Sequence, residues 1–185
     1  MKKKTNARAV KQKINSPTTP SGSWEEFSIM LTRQGVNEGT VEAGTTRLTL
    51  PVSYSDPEDG FDALLHKAWF LTYGGPRRLI AAPLHLKAEY LARQEAELCG
   101  KAGVTKGAFQ VLYVQEAQML HLDCRRRWTI PFRLFAFLEM GENRSVVLRP
   151  GEAWITIIPK DVDDKDINSA IMEIIVPPIS NDAQT

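Results

Sequence analysis

The sequence predicts an α+β fold in which one small unit of strands and a hairpin occurs twice, with a helix between the copies. The string RLTLP at residues 47–51 returns as RWTIP at residues 127–131, a register shift of 80. Each string is followed by a strand, a turn and a second strand that ends in a proline, Pro83 in the first copy and Pro159 in the second. Neither copy could bury much apolar surface alone, so the two are expected to share one core.

The two copies differ in the spacing of their prolines. The interval from Pro51 to Pro83 is four positions longer than the interval from Pro131 to Pro159. The segment SDPEDG at residues 55–60 is rich in turn-forming residues, which predicts that the extra residues of the first copy lie there.

The first copy has the pattern of a strand, a short helix and a β-hairpin. Residues 40–50 end in the alternating sequence TTRLTL, which is typical of a half-buried strand. Apolar residues at helical spacing then predict a short helix over residues 61–68. The hairpin is predicted as strand 69–73, turn 74–76 and strand 79–82. A longer amphipathic helix over residues 83–99, with Gly100 just after it, is expected to join the copies.

The second copy repeats this order of elements. It is predicted to contain a strand at 119–130, a helix at 131–140 with Pro131 at its first position, and a hairpin at 145–158 that turns at Pro150 and Gly151. A short last helix is expected over residues 162–173, with Asp161 as its N-cap.

Composition indicates one globular domain with tails. The chain has 185 residues, of which 43% are hydrophobic, and no apolar run approaches the roughly 20 residues of a membrane span. The lysines at residues 2–4 are not followed by the apolar segment of a secretory signal, so a cytoplasmic location without membrane contact is expected. Cys99 and Cys124 are then expected to be reduced, partly buried thiols.

The first 23 residues carry six basic residues and no acidic ones, although the formal net charge of the chain is +1. This segment has few aromatic residues and many Ser, Thr, Pro and Gly residues, which predicts a disordered basic tail. Such a tail would either screen phosphates without reading sequence or act as a solubilising extension.

The residue patterns of enzymes are absent from the sequence. His66, His85 and His121 are dispersed and have no companion cysteine pair, so a metal site is not expected. The glycines form neither a P-loop nor a dinucleotide fingerprint. We therefore expect a protein that is not an enzyme, with no cofactor and no small-molecule substrate.

An arginine cluster is the strongest indication of a partner. Arg125, Arg126, Arg127 and Arg133 lie within nine residues with Asp123 as the nearby acid. Guanidinium groups clamp phosphates or bind guanine bidentately, which favours a nucleic-acid partner. On an extended strand the first and third of these arginines would share one face and the second would point to the other. The alternative is a solvated turn in which Arg127 pairs with Asp123.

The four tryptophans fit a different role. Trp24, Trp69, Trp128 and Trp154 each lie beside an apolar or strand-like run, which favours the core or a subunit interface over base stacking.

Residues 120–158 resemble the second half of the MraZ family of bacterial transcription regulators, which are built from two SpoVT-AbrB-type units. The family signature is an aspartate and, four residues later, an arginine, followed by apolar residues and a proline. Asp123, Arg127 and Pro131 occupy these positions, and Gly151 occupies the hairpin turn.

The first copy is similar to the first half of that family. Arg47 and Pro51 match the motif, and APLHLKAEYL at residues 82–91 resembles the strand-to-helix junction. The copies also depart from the family pattern, because Thr46 and Arg126 stand where a glycine usually precedes the motif arginine. Ala43 stands where the motif aspartate is expected, with Glu42 only adjacent. This predicts that the first loop is held differently or has lost DNA contact.

The resemblance implies two tandem SpoVT-AbrB-like units of the swapped-hairpin, double-split β-barrel type, at residues 24–100 and 101–176, followed by a flexible tail from residue 177. It implies a homo-oligomer, such as a ring, that is associated with the nucleoid and binds double-stranded DNA to regulate transcription of a division and cell-wall operon. The expected DNA-binding residues are Arg47, Arg125, Arg126 and Arg127, with Asp123 fixing the loop. Two alternatives remain open: an oligomeric scaffold or partner-binding protein that kept the fold, and an AbrB-type antitoxin.

Overall fold

The structure is a computed structural model that describes residues 22–51, 54, 68–123 and 125–162. The predicted basic tail, the insertion at 55–60, the helix at 61–68, the last helix and the C-terminal tail lie wholly or largely outside these residues. His66 and Cys124 also lie outside them.

Eight antiparallel strands form a closed barrel. They are β1 (Asn37–Val41), β2 (Arg47–Thr49), β3 (Trp69–Gly75), β4 (Arg78–Pro83), β5 (Gln118–Leu122), β6 (Arg127–Thr129), β7 (Ser145–Pro150) and β8 (Ile155–Pro159). Around the barrel they are ordered β1-β2-β6-β5-β3-β4-β8-β7.

Four helices accompany the strands among the described residues. They are α1 (Trp24–Gln34), α2 (Lys87–Gly100), α3 (Lys106–Phe109) and α4 (Phe132–Ala136). A 3₁₀ turn (Leu84–Leu86) leads into α2, and a π-helical turn (Gln110–Gln115) continues α3. The predicted α+β class and shared core are therefore confirmed.

The barrel has a pseudo-twofold axis that relates the two sequence copies. β2 pairs with β6 so that Leu48 faces Trp128, its own counterpart at the shift of 80. On the opposite side β4 pairs with β8 so that Ile80 faces Thr156, a shift of 76 that reflects the shorter spacing in the second copy. Strands are also exchanged between the copies, because β1 pairs with β7 and β3 pairs with β5.

The core lies inside the barrel, on the axis between β2 and β6. Leu48 and Trp128 are both fully buried, and the Trp128 ring lies 5.5 Å from that of Trp69. Trp24 and Trp154 pack edge to face at 5.8 Å. The predicted core role of the tryptophans is confirmed, because three are buried and Trp154 packs against the core.

The structure corrects several predicted boundaries. The strands predicted at 40–50 and 119–130 are each divided by a loop, since Gly44 (φ 71°) and Arg126 (φ 60°) turn the chain through the left-handed region. The helix predicted at 131–140 is shorter, and Pro131 is its N-cap rather than its first residue.

The hairpins and the joining helix agree with the predicted order. β3 with β4 and β7 with β8 form the two expected hairpins. A Cβ atom at Gly151 would overlap the indole of Trp154, so the second hairpin turn requires glycine. α2 is the longest described helix, as expected, but it begins at Lys87 rather than Pro83 and includes Gly100 as its last residue.

Each copy also begins with a helix that the sequence patterns did not reveal. α1 ends three residues before β1, and the π-helical turn ends three residues before β5. α1 begins with a capping box in which Ser23 and Glu26 exchange hydrogen bonds between side chain and backbone. Phe27 in α1 is buried in the main core, whereas Phe109 in α3 is buried in a second, smaller cluster with Tyr73 and Tyr113.

Candidate nucleic-acid interface

The motif arginines lie on the outer face of β2 and β6. Leu48 and Trp128 point inward, so Arg47 and Arg127, one position before them, point outward. Because β2 and β6 are antiparallel, the loop that precedes β2 and the loop that precedes β6 flank this pair from opposite ends. The pseudo-twofold axis therefore brings both copies of the motif to one surface.

Backbone hydrogen bonds show how the two loops correspond. Glu42 N donates to Arg47 O at 2.9 Å, and Asp123 N donates to Arg127 O at 3.0 Å. The counterpart of Asp123 is therefore Glu42, and the assignment of Ala43 to this position is wrong. It is wrong because the loop of the first copy, residues 42–46, is one residue longer than the loop at residues 123–126.

Asp123 binds both the backbone and the side chain of its loop. One carboxylate oxygen accepts hydrogen bonds from Arg125 N at 2.8 Å and Arg127 N at 2.9 Å. The other oxygen accepts from Arg127 Nε at 2.7 Å. The bond from the Arg127 side chain, together with these amide bonds, holds the pKa of Asp123 below its usual value of 3.8. This geometry is the one expected of a loop-fixing residue.

The first loop uses a hydroxyl group where the second uses a carboxylate. Thr45 Oγ1 accepts a hydrogen bond from Arg47 N at 3.1 Å and donates to Glu42 O at 3.0 Å. Thr45 therefore satisfies the amide of Arg47, as Asp123 satisfies the amide of Arg127. Because of this substitution, the Glu42 carboxylate is available for side chains.

The Glu42 carboxylate contacts both motif arginines. Its Oε2 atom is 3.0 Å from Arg127 Nη1 and 3.8 Å from Arg47 Nη1. Arg127 also lies 2.7 Å from Asp123 through Nη2, and its side chain is only 16% exposed. Arg47 has no second carboxylate among its described ion pairs, and its side chain is 48% exposed. The two arginines of the repeat therefore occupy different environments.

The other predicted contact residues lie in the second loop. Arg125 and Arg126 are exposed, and they belong to the turn that precedes β6 rather than to the strand. The expected alternation of Arg125 and Arg127 against Arg126 is therefore wrong, since Arg126 has a positive φ and an extended strand begins only at residue 127. Arg133 lies in α4 and pairs with Glu116 at 2.9 Å.

Among the described residues, no group of three or more His, Cys, Asp or Glu residues could hold a metal ion. None of the described helices combines the length and apolar character needed to cross a membrane. The sequence matches no model of a known protein family and no curated protein.

Proposed function

We propose that the chain is a DNA-binding transcription regulator that contacts double-stranded DNA with the outer face of β2 and β6. The observation that carries this proposal is the position of the two loops, which place exposed Arg47 and exposed Arg125 at opposite ends of one pair of strands. In this proposal the barrel consists of two tandem SpoVT-AbrB-like units, as in the MraZ family, and the operon of division and cell-wall genes is the expected target.

The charges of this face support an anionic partner. Among the described residues of this face and its two loops, the arginines outnumber the carboxylates of Glu42 and Asp123, so cations exceed anions there; the arginines are Arg47, Arg125, Arg126 and Arg127. Arg127 is held by both carboxylates, so the excess resides on the exposed arginines of the loops. Exposed guanidinium groups bind phosphates and the edges of guanine bases, which makes these loops suited to a groove of duplex DNA.

A single face with so few charges would bind DNA weakly. Several chains in one assembly would raise the effective concentration of each face near its site. We therefore retain the homo-oligomer, such as a ring, as part of the proposal, with repeated short elements in the target DNA.

The direct test is binding to duplex DNA. Fragments of the source genome that the protein selects should contain repeated short elements upstream of its own gene. Binding to a selected duplex, measured by fluorescence anisotropy, should weaken at least about tenfold in the combined Arg47→Ala and Arg125→Ala variant, since each phosphate or base contact is worth roughly 1 to 3 kcal/mol.

Arg33→Ala is the matched control, because Arg33 is an exposed arginine in the last turn of α1. It removes one positive charge from another surface, as Arg47→Ala or Arg125→Ala does singly, and should leave affinity within about twofold. Equal losses in Arg33→Ala and in each single loop variant would show that only net charge matters. Failure of the wild-type protein to bind any duplex would refute the proposed function.

An oligomeric scaffold is the second candidate, and two observations favour it. Arg127 is neutralised by carboxylates, and the aromatic side chain of Phe132 is 77% exposed. A scaffold should associate with itself or a partner independently of salt, because apolar contacts are not screened. Sedimentation at low and high salt, without DNA and with Phe132→Ala as the variant, tests this association. Salt-independent association of a protein that binds no duplex would favour the scaffold over the regulator.

A further inference from the structure

We infer that Glu42 limits the affinity for DNA of the outer face of β2 and β6, called the arginine face below. It does so by competing with phosphate for Arg47, while Arg127 stays bound to Asp123. The inference rests on the proposed function for its ligand, and it assigns Arg127 as a positioning residue rather than a contact residue. It follows from the different distances, exposures and partners of the two motif arginines.

Arg127 is anchored too firmly to exchange its partners for phosphate. Its Nε and Nη2 atoms both lie 2.7 Å from Asp123 Oδ2, and its Nη1 atom lies 3.0 Å from Glu42 Oε2. The side chain is only 16% exposed. Moving it toward DNA would break charge-assisted hydrogen bonds in a partly dry setting, where such bonds are strong.

Arg47 can change partners at much lower cost. Its Nη1 atom is 3.8 Å from Glu42 Oε2, a distance too long for a hydrogen bond, and about half of the side chain is exposed. Its position in β2 is kept by Thr45 and by the β2 pairing rather than by its own side chain. A phosphate beside the face could therefore take Arg47 from Glu42 without disturbing the loop.

The length of Glu42 explains why only one acid of the repeat has this role. Glu42 and Asp123 hold equivalent backbone positions, but Asp123 is used within its own loop. The longer glutamate side chain reaches Arg127 of the other copy at 3.0 Å. Its carboxylate thus lies between the two motif arginines, 3.0 Å from Arg127 and 3.8 Å from Arg47.

The test compares Glu42→Gln with Glu89→Gln. Both variants remove one negative charge that pairs with an arginine, and Glu89 pairs with Arg93 at 2.8 Å on α2. Glu42→Gln should bind duplex DNA roughly 3- to 10-fold more tightly than wild type at low salt, as expected for one nearby charge in a solvated setting. Glu89→Gln should bind within about twofold of wild type.

A double-mutant cycle identifies the residue through which Glu42 acts. In the Arg47→Ala background, Glu42→Gln should raise affinity by less than about twofold, because the arginine that it releases is absent. The NMR signal of the Arg127 Nε–H group should be retained in Glu42→Gln, since Asp123 remains its partner. An unchanged or weaker affinity of Glu42→Gln, or a full gain in the Arg47→Ala background, would overturn the inference.

A heparin column separates this inference from the proposed function. Glu42→Gln should elute at higher salt than both wild type and Glu89→Gln, whether or not DNA is the natural ligand. If no duplex binds to the wild-type protein, the regulator proposal fails, and the order of elution still decides whether Glu42 limits the attraction of this face for polyanions. Elution of Glu42→Gln together with Glu89→Gln would refute the inference alone.

Discussion

The salt dependence of DNA binding can be worked out from the exposed arginines. Three of them lie at the two ends of the β2–β6 pair, Arg47 at the start of β2 and Arg125 and Arg126 in the turn before β6. Arg127, in contrast, is held by carboxylates. Each phosphate contact contributes about −0.9 to the slope of log affinity against log salt concentration. Three contacts therefore contribute about −2.7 for each chain engaged, which is about a 40-fold loss of affinity between 50 and 200 mM salt.

The arginines are replaced by alanine one at a time and then together, and the slope is measured for each variant. Arg47→Ala and Arg125→Ala should each flatten the slope by about 0.9 per engaged chain, and the triple variant with Arg126→Ala by about 2.7. The basic residues of the tail contribute equally to every variant, so the differences between slopes isolate the loops. Arg33→Ala on α1 should leave the slope of wild type.

Fluorescence anisotropy titrations on one duplex at four or more salt concentrations give the slopes. Arg127→Ala is left out of this series, because it would remove the ion-pair partner of both Glu42 and Asp123 and so change the loop itself. A triple variant that kept the wild-type slope would show that the charges that bind phosphate lie elsewhere.

The remaining predictions concern the fold and the loop. Leu48→Ala should lower the free energy of unfolding by about 3 kcal/mol in urea denaturation, because Leu48 is fully buried on the axis. Thr49 is exposed on the same strand, so Thr49→Ala should change the free energy of unfolding by less than about 0.5 kcal/mol. Similar losses of stability in both variants would contradict the assigned register. Thr72→Val should cost about 1 to 3 kcal/mol, because the buried Tyr113 carbonyl would lose the hydroxyl that donates to it at 2.8 Å; a neutral effect would argue against that bond. Asp123 has a lowered pKa in the folded state, so its contribution to stability is complete above its usual pKa of 3.8 and is lost as pH falls through the lower folded value. An NMR titration of its carboxyl group should show the midpoint below 3.8, and an ordinary midpoint would show that the loop bonds are not formed.

The repeat in the sequence predicted the part of the fold that depends on pairing between copies. The register shift of 80 between RLTLP and RWTIP reappears as the pairing of Leu48 with Trp128. The hairpins were also predictable, since each has apolar strands on either side of turn residues. The shared core and the two hairpins therefore follow from patterns in the sequence, whereas a barrel-like fold was expected only from the family resemblance.

Local features with weak sequence signals were not predicted. The capping box of Ser23 and Glu26 was present in the sequence. The helix after it buries Trp24, Phe27 and Leu31 but exposes Ile29, so its apolar residues do not form one clean face. The loops that divide the long strands depend on single left-handed residues, Gly44 and Arg126. A non-glycine residue in that conformation gives no reliable signal in a sequence.

The arginine face shows why the candidate site was harder to predict than the fold. A fixed shift of 80 aligns Asp123 with Ala43 and hides the extra residue of the first loop, so the role of Glu42 could be found only from the hydrogen bonds of its backbone. The contact between Glu42 and Arg127 joins residues 85 positions apart, and a repeat pattern carries no information about such a contact.

Duplication places the two motif arginines at equivalent positions, but their electrostatic environments differ, because Glu42 of the first copy contacts both of them. The first copy supplies Glu42 and a hydroxyl substitute in Thr45, while the second supplies Asp123 and a fixed Arg127. An identical pair would present two equal arginines to DNA. This pair presents Arg47 at one end and the turn residues Arg125 and Arg126 at the other. We therefore expect the two halves of a DNA site to be contacted unequally by one chain, so that footprints on each repeated element are asymmetric.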